Sequence, residues 1–174
     1  MDGPCTIREA TPADASAFAR SQIDAWQAAY RGILDDAYLA AMDHLRLTSG
    51  WERRLSAPGG DVRQFALCSG AEVVGWSGVG VPRDDVADGV GEVHAINVSP
   101  AYWSRGFGSA LFTHSVRELA AMGYRRGYLW VADGNTRALG FYQRHGWEVD
   151  GVTKADDRFT PALHELRVVS ADFV

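Results

Sequence analysis

The segment Ser99–Leu111, with the sequence SPAYWSRGFGSAL, joins a predicted strand to a predicted helix. The strand ends at Val98 and the helix begins directly after the turn. Gly106 and Gly108 carry no Cβ, so the backbone can approach a ligand closely there. Free backbone N–H groups at a helix N-terminus attract anions, and Arg105 adds positive charge. The segment therefore predicts an anion-binding loop, with a tight turn that binds nothing as the alternative.

Two common nucleotide-binding loops do not fit this segment. A Walker A loop needs a Gly-Lys-Ser/Thr triplet, and the dinucleotide fingerprint needs the spacing G-x-G-x-x-G. The segment has neither pattern. The anion, if one binds, is therefore held by a different kind of loop.

The spacing of apolar residues around the loop predicts strands and helices in an irregular order. A strand at Thr6–Ala10 precedes a helix that begins at Thr11 and continues to about Tyr30. A second helical region from Asp35 to about Leu55 is predicted to break near Asp43 or Ser49. The remaining predictions are strands at 63–68, 73–81 and 92–98, a helix after the loop, a strand at 128–131, a helix at 135–144, and strands at 147–153 and 163–169. This order is not a regular alternation of strand and helix, which favours a mixed α+β fold.

Composition limits the function classes. The chain of 174 residues predicts one globular domain. Its net charge of −5 is spread along the chain, so a nucleic-acid partner is not expected. Cys5 and Cys68 are its two cysteines, which form neither a disulfide framework nor a metal-ligand cluster. We expect a cytoplasmic protein with no metal and no membrane span.

Three motifs resemble those of one family. Trp103–Gly108 resembles the acetyl-CoA pyrophosphate loop Q/R-x-x-G-x-G/A of the GNAT superfamily of N-acetyltransferases. Glu92–Pro100 and Asn135–Trp147 resemble the family's neighbouring motifs, and the predicted element order agrees from 6 to 169. Trp103 departs from the pattern, because the family commonly has Gln or Arg there. A side-chain contact from this position to the cofactor is in doubt, whereas an amide cradle needs only the backbone.

The resemblance implies both a fold and a cofactor. The implied fold is α+β, with a central mixed, mostly antiparallel sheet that is flanked by helices and splayed in its middle to hold CoA. Acetyl-CoA is the implied co-substrate, with its thioester carbonyl against the backbone of the central strand. The implied cofactor-binding residues are Ile96, Asn97, Val98, Ser104, Arg105, Gly106, Phe107, Gly108, Ser109 and Asn135. Asn135 is also a candidate helix N-cap, either instead of contacting the cofactor or in addition to it.

Acetyl transfer to an amine needs a base. An alkylamine has a pKa of about 10.4, so only about one molecule in a thousand is neutral near pH 7.4. Glu92 matches the position where several family members carry a general base, acting directly or through water. Strand alternation places His94, Ile96 and Val98 on the same face as Glu92, which makes His94 an alternative base. Alternatively, Glu92 is not a base, and its carboxylate only orders water or binds the substrate ammonium.

The leaving thiolate benefits from an acid. Tyr142 matches the tyrosine that faces the sulfur in the family. Its ordinary pKa of about 10 lies above that of a thiol, about 8.5, so it is protonated at neutral pH. Alternatively, Tyr142 is an ordinary core residue without a catalytic role. Glu92 and Tyr142 are therefore the predicted catalytic pair.

The acceptor is the least constrained part of the prediction. Trp26, Tyr30 and His94 are tentative acceptor-binding residues, and Asp84, Asp85 and Asp88 would give the cleft an acidic rim suited to a cationic amine. The predicted function is an N-acetyltransferase whose acceptor is a small-molecule or aminoglycoside-like amine in preference to a peptide or protein amine. An acyl-CoA sensor without turnover and an interaction protein without cofactor remain alternatives. A homodimer also remains open.

Overall fold

A seven-stranded open sheet forms the centre of the protein, in the order β1-β2-β3-β4-β5-β7-β6. The computed structural model describes residues 4–57 and 60–173. Among the described strands, every neighbouring pair is antiparallel except β4 and β5, which are parallel. The strands are β1 (Cys5–Glu9), β2 (Val62–Ser69), β3 (Glu72–Gly80), β4 (Val90–Val98), β5 (Arg126–Ala132), β6 (Glu148–Asp156) and β7 (Leu163–Val169). The predicted mixed, mostly antiparallel α+β fold is confirmed.

Five α-helices flank this sheet in the described chain: α1 (Ala15–Ala29), α2 (Asp36–Ala40), α3 (His44–Ser56), α4 (Phe107–Ala121) and α5 (Thr136–Arg144). Side chains at the helix starts explain two of the predicted boundaries. The Thr11 N–H donates to the Asp14 carboxylate over 2.8 Å and opens the first helical turn. The Asp43 carboxylate accepts from the Arg46 N–H over 2.7 Å, so the second helical region breaks at Asp43.

Two hydrophobic clusters cover the two faces of the sheet. One packs α4 against the sheet through residues such as Leu111 and Phe112. The other packs α1 and α3 against β2 and β3, where the Phe18 and Trp76 rings stack at 5.6 Å and Trp51 meets Trp76 at 4.4 Å. The Trp76 indole N–H donates to the Phe18 carbonyl, so this buried polar group is satisfied. Together these clusters fix β3 and β4 between two helical layers.

The sheet opens between β4 and β5. Their register runs only from Val90 to Glu92 on β4 and from Arg126 to Tyr128 on β5. Beyond Glu92 the two strands do not pair in the described chain, and the second half of β4 borders an opening. The splayed sheet that the family resemblance implied is present.

A β-bulge at His94 changes which side chains share a face of β4. Ala95 pairs with Gly78 and Val93 pairs with Val79, so His94 is the extra residue. Ala95 therefore packs on the cluster beneath α1 and α3, whereas Ile96 and Val98 pack with the α4 cluster. The prediction of one face shared by Glu92, His94, Ile96 and Val98 is wrong, because strict alternation does not continue through a bulge.

Candidate active site

A cleft of about 1000 Å³ occupies the opening between β4 and β5. Its walls come from β4, the loop before α4, and α5 at one end, and from α1, α3, β6 and β7 at the other. Ligand pockets commonly span roughly 300–1000 Å³, so this cleft is large for a domain of this size. The first is the loop end of the cleft, and the second is its aromatic end.

The loop end presents backbone amides at the start of α4. Gly106 is the N-cap residue and adopts φ 85°, and no side chain caps the helix there. A Cβ at Gly106 would meet nothing within 4 Å, so this position needs glycine for its left-handed backbone and not for space. Ser104, Gly108 and Ser109 line the cleft beside it. Uncapped N–H groups at a helix N-terminus suit an anion such as a pyrophosphate.

Two predicted loop residues lie elsewhere. The Arg105 guanidinium donates to the Ala101 carbonyl over 2.8 Å and lies 5.2 Å from the centre of the Tyr102 ring. Phe107 is buried in the α4 cluster. Neither side chain lines the cleft. The added charge that we expected from Arg105 is therefore not placed at the cleft.

Arg137 supplies the cation beside the loop instead. Its guanidinium lies 4.3 Å from the centre of the Trp103 ring and donates to the Ser104 hydroxyl over 3.2 Å. The Trp103 indole N–H donates to the Val98 carbonyl over 2.7 Å. Trp103 therefore packs between the loop and the end of β4. Sequence reasoning missed Arg137, although it lies within the third family-like motif, because only the fold of α5 back onto the loop brings it there.

The edge of β4 and the start of α5 complete the loop end. Ile96, Asn97 and Val98 line the cleft, as does Asn135. The Asn135 side-chain oxygen accepts from the Ala138 N–H over 3.1 Å, so Asn135 is the N-cap of α5. Its amide nitrogen has no partner among the described residues and could donate to a ligand.

Tyr142 lies in the floor of the cleft. Its ring packs 5.3 Å from both Phe112 and Phe141, and the side chain is buried. Burial raises the pKa of Tyr142 above its ordinary value, with a smaller contribution from nearby Tyr30. The phenol therefore keeps its proton at neutral pH, and its O–H group is a hydrogen-bond donor.

Glu92 is fully buried and does not line the cleft. Its carboxylate accepts from the Arg83 guanidinium (Nε at 2.9 Å) and the Arg83 backbone N–H (2.8 Å), and the Tyr128 hydroxyl lies 3.0 Å away. Burial acts to raise the pKa of Glu92, but the hydrogen bonds from Arg83 and the charge of His94 outweigh it and lower the pKa below its usual value. Glu92 is therefore an ionised carboxylate with partners on both oxygens.

His94, in contrast, lines the cleft. Its Nε2 lies 2.8 Å from the Val81 carbonyl oxygen and 3.8 Å from Glu92 Oε2. A carbonyl only accepts, so Nε2 carries the proton and Nδ1 holds the lone pair in the neutral ring. Burial lowers the pKa of His94 despite the opposing charge of Glu92, so the imidazole is neutral near pH 7. Nδ1 of His94 can accept a proton.

The aromatic end contains two of the tentative acceptor residues. Trp26 and Tyr30 line it with their rings 5.0 Å apart, and Phe159 lies 6.3 Å from Trp26. Asp84, Asp85 and Asp88 do not line the cleft. Asp84 instead accepts from the Trp130 indole N–H over 2.8 Å and lies 2.9 Å from the Tyr128 hydroxyl. The predicted acidic rim is therefore wrong, because its best-placed carboxylate is bound by β5.

Glu165 and Lys154 are two cleft residues that sequence reasoning missed. Glu165 lies on β7 opposite Ala132 of β5, and its carboxylate is 3.6 Å from the Lys154 ammonium. Burial raises the pKa of Glu165. Burial, with a smaller contribution from the negative charge of Glu165, raises the pKa of Tyr30 to about 12. No motif surrounds Glu165 in the sequence. Only the pairing of β7 with β5 brings it to the cleft.

Known proteins share this architecture and part of this sequence. The crystal structure of PaiA N-acetyltransferase from Thermoplasma acidophilum in complex with coenzyme A has a TM-score of 0.75 at 15% identity, over 96% of this chain and 98% of that one. Mycothiol acetyltransferase of Geodermatophilus obscurus is 32% identical over 85 residues, which are 48% of this chain and 28% of that protein. An uncharacterized N-acetyltransferase of Methanocaldococcus jannaschii is 38% identical over 65 residues, 37% of this chain and 29% of that protein.

These matches carry different weight. The structural likeness shows the fold, and the matched segments span less than a third of the length of the two curated relatives. The model of the acetyltransferase (GNAT) family matches residues 23–147, which is more than half of the chain and includes the loop, β4 and α5. The chain therefore belongs to the acetyltransferase (GNAT) family.

Proposed function

We propose that this protein is an acetyl-CoA-dependent N-acetyltransferase that moves the acetyl group directly to a primary amine. The observation that carries the proposal is the opening between β4 and β5, closed at one end by the uncapped N-terminus of α4 with Gly106 in the left-handed conformation. The relative of known structure named above was crystallised with coenzyme A. Bound acetyl-CoA supplies an activated thioester at this opening.

Residues at the loop end would hold the cofactor. The backbone N–H groups from Gly106 to Ser109 face the position of the pyrophosphate, with Arg137 as the neighbouring cation. The backbone of β4 from Ile96 to Val98, which β5 leaves unpaired, offers hydrogen bonds to the pantetheine arm and to the thioester oxygen. Asn135 adds a side-chain amide. No metal is part of this proposal.

His94 is the proposed base. Its unprotonated Nδ1 takes a proton from the substrate ammonium, which frees the nitrogen lone pair to attack the thioester carbon, and the Val81 carbonyl fixes the tautomer through Nε2. Glu92, the base predicted from the sequence, has both oxygens occupied behind the strand. We assign Glu92 an indirect role: its negative charge, 3.8 Å from Nε2, favours the imidazolium that forms during transfer.

Tyr142 is the proposed acid. Its phenol keeps its proton because burial raises its pKa, and it lies in the floor of the cleft where the sulfur would be expelled. The acceptor is proposed to be a small-molecule amine. Contacts of Phe159 with Trp26 and Tyr38 join the β6–β7 connection to α1 and α2 at the aromatic end, which favours a small acceptor over a peptide.

The decisive experiment compares two substitutions of one loop glycine. A Cβ at Gly108 would lie 3.5 Å from the Phe141 ring, an ordinary contact, so Gly108→Ala should fold and bind acetyl-CoA normally. Gly108→Asp adds a negative charge beside the pyrophosphate and should weaken binding about a hundredfold by calorimetry. Equal affinity in the two variants would contradict the loop assignment.

Release of the CoA thiol in the presence of an amine panel then tests transfer. Turnover with at least one amine supports the enzyme. Binding of acetyl-CoA without turnover on any small amine or peptide would indicate an acyl-CoA sensor, and absence of binding would indicate an interaction protein.

Three statements about the whole chain stay predictions. They are a single acetyltransferase domain over residues 1–174, a cytoplasmic location and a homodimer. None of the described helices is long and apolar enough to cross a membrane. Sedimentation of the purified protein measures its oligomeric state, and fractionation of cells that express it measures its location.

A further inference from the structure

The aromatic end of the cleft carries more positive than negative charge, although the whole chain has a net charge of −5. Its acidic side chains are Asp156 and Glu165. Its basic side chains are Arg53, Arg54, Arg83, Lys154 and Arg158. A positively charged cleft concentrates anionic ligands, even when the molecule as a whole is negative. This excess of positive charge needs an explanation.

Three of these cations already have carboxylate partners. Arg83 binds Glu92, Lys154 lies 3.6 Å from Glu165, and the Nε of Arg158 donates to Asp156 over 2.8 Å. Arg53 and Arg54 have no carboxylate within 4.0 Å in residues 4–57 and 60–173. The excess charge of the aromatic end therefore belongs to these two neighbours on α3.

Arg54 is held in place and lines the same cleft as His94. Its guanidinium lies 4.9 Å from the centre of the Trp51 ring, and Trp51 is fixed by donating its indole N–H to Gln22. Burial is the main cause that lowers the pKa of His94, and the positive charge of Arg54 adds to this effect across the cleft that both side chains line. Cations at a helix C-terminus are stabilising, which explains why Arg53 and Arg54 lie in the last turn of α3. It does not explain why both of them line the cleft.

We propose that the acceptor is a small amine that also carries an anionic group, a carboxylate or a phosphonate, and that Arg54, with Arg53, binds that group while the amine meets His94. A guanidinium binds such planar or tetrahedral anions through charge-assisted, paired hydrogen bonds. The same two charges repel polycationic amines, so an aminoglycoside-like acceptor is disfavoured. This inference rests on the proposed function.

The test compares α-amino acids with their own carboxamides as acceptors, with the aminophosphonate analogues alongside to distinguish the two anions. Acid and carboxamide have nearly the same shape, and the amide has the less basic amine, so a preference for the acid reports the anion. We expect at least one acid or phosphonate to exceed its amide in kcat/KM by about tenfold. Arg54→Gln should remove most of that preference. Arg46→Gln, an exposed arginine on the same helix outside the cleft, is the control and should keep it.

A second measurement does not depend on turnover. With CoA present, an N-acetyl amino acid should raise the melting temperature of the wild type more than its carboxamide does, and Arg54→Gln should abolish the difference. Amides that equal acids in both assays would overturn the proposal, as would a preference that survives both Arg53→Gln and Arg54→Gln. Weakened binding of acetyl-CoA itself in Arg54→Gln would assign the arginine to the cofactor and overturn it too. If no amine releases CoA but the melting difference persists, the proposed transferase activity is contradicted and the proposed anion site is not.

Discussion

Two ionisable residues on β4, Glu92 and His94, are separated by one position yet have different surroundings. Glu92 is enclosed by Arg83 and Tyr128, whereas the bulge directs His94 to the cleft. Proton transfer needs a group with a free lone pair near the substrate and a pKa near the working pH. His94 lines the cleft and has a lone pair on Nδ1 in its neutral ring, whereas Glu92 lies outside the cleft with partners on both oxygens. These surroundings support our proposal that His94, and not Glu92, is the base.

The pH dependence of turnover tests this assignment. The pKa of His94 lies below its usual value of 6.5, so kcat/KM of the wild type should rise with pH through that lowered pKa and stay level above it. His94→Gln should lower kcat/KM about a hundredfold and remove the acidic limb of the profile. The acetyl-CoA dissociation constant, measured in parallel, should not change. An acidic limb that persists in His94→Gln would return the role of base to Glu92 or water.

Tyr142→Phe tests the acid. Loss of the hydroxyl should lower kcat about a hundredfold, because the thiolate then leaves without a proton donor. Affinity for acetyl-CoA should remain similar, since the ring still packs against Phe112 and Phe141. Tyr124→Phe removes a hydroxyl from a residue that does not line the cleft and serves as the control. Equal kcat values in the two variants would make Tyr142 a core residue.

At the scale of elements, the turn before α4 matters more than its individual side chains. Ser104 and Gly106 both have positive φ angles, 59° and 85°, no side chain caps the helix that follows, and the turn lines the cleft. The Arg105 side chain lies outside the cleft. The element therefore offers an anion its backbone, with Arg137 of α5 as the added cation.

Alanine substitutions at the two glycines of this element should change the free energy of unfolding in opposite directions. Gly106→Ala should lower the free energy of unfolding by about 1–2 kcal/mol, because a residue with a Cβ is strained in the left-handed region. Gly108→Ala, within α4, should raise it by about 0.5–1 kcal/mol. Urea denaturation measures both changes, and Gly106→Asn should recover part of the loss because Asn tolerates this conformation. Similar effects at the two positions would contradict the turn geometry.

At the scale of the whole molecule, the sheet is tied to the β3–β4 connection through buried polar groups. Glu92 on β4, Tyr128 and Trp130 on β5, and Arg83 and Asp84 in the connection form one continuous set of contacts. Such a network is stabilising only while its members are satisfied. Its position where β4 and β5 begin to separate makes it important for holding the two halves of the sheet together.

Glu92→Gln measures the contribution of this network. Near pH 7 the variant should lose about 2 kcal/mol of unfolding free energy, because Arg83 loses its anionic partner. The folded-state pKa of Glu92 is below its usual value, so the advantage of the wild type is present above about pH 4.3 and is lost as pH falls through the folded pKa. Denaturant titrations at several pH values record the difference. Glu9→Gln, at an exposed carboxylate of β1, should show little change at any pH.

The sequence predicted the features that depend on residues close together in the chain. It missed those that depend on the pairing of distant strands and helices. Helix starts at Thr11 and Asp43 are visible because a cap and the N–H groups that it binds are three residues apart. The bulge at His94 left no signal, since it arises from the pairing of β4 with β3. Glu165 and Arg54 reach the cleft only through β7 and α3. The loop was found because its glycines, Gly106 and Gly108, lie two positions apart in the sequence, whereas the acceptor end is assembled from distant segments.

The unequal anchoring of the segments around the aromatic end matters for anyone who wishes to change the acceptor by mutagenesis. The β3–β4 connection is fixed by Glu92 and Asp84, so randomising it would unfold most library members. The Phe159 ring of the β6–β7 connection lies 6.3 Å from the Trp26 ring of α1 and 5.2 Å from the Tyr38 ring of α2. A library confined to residues 157–160, of which Arg158 and Phe159 line the cleft, should therefore yield folded variants with new acceptors and unchanged use of the cofactor.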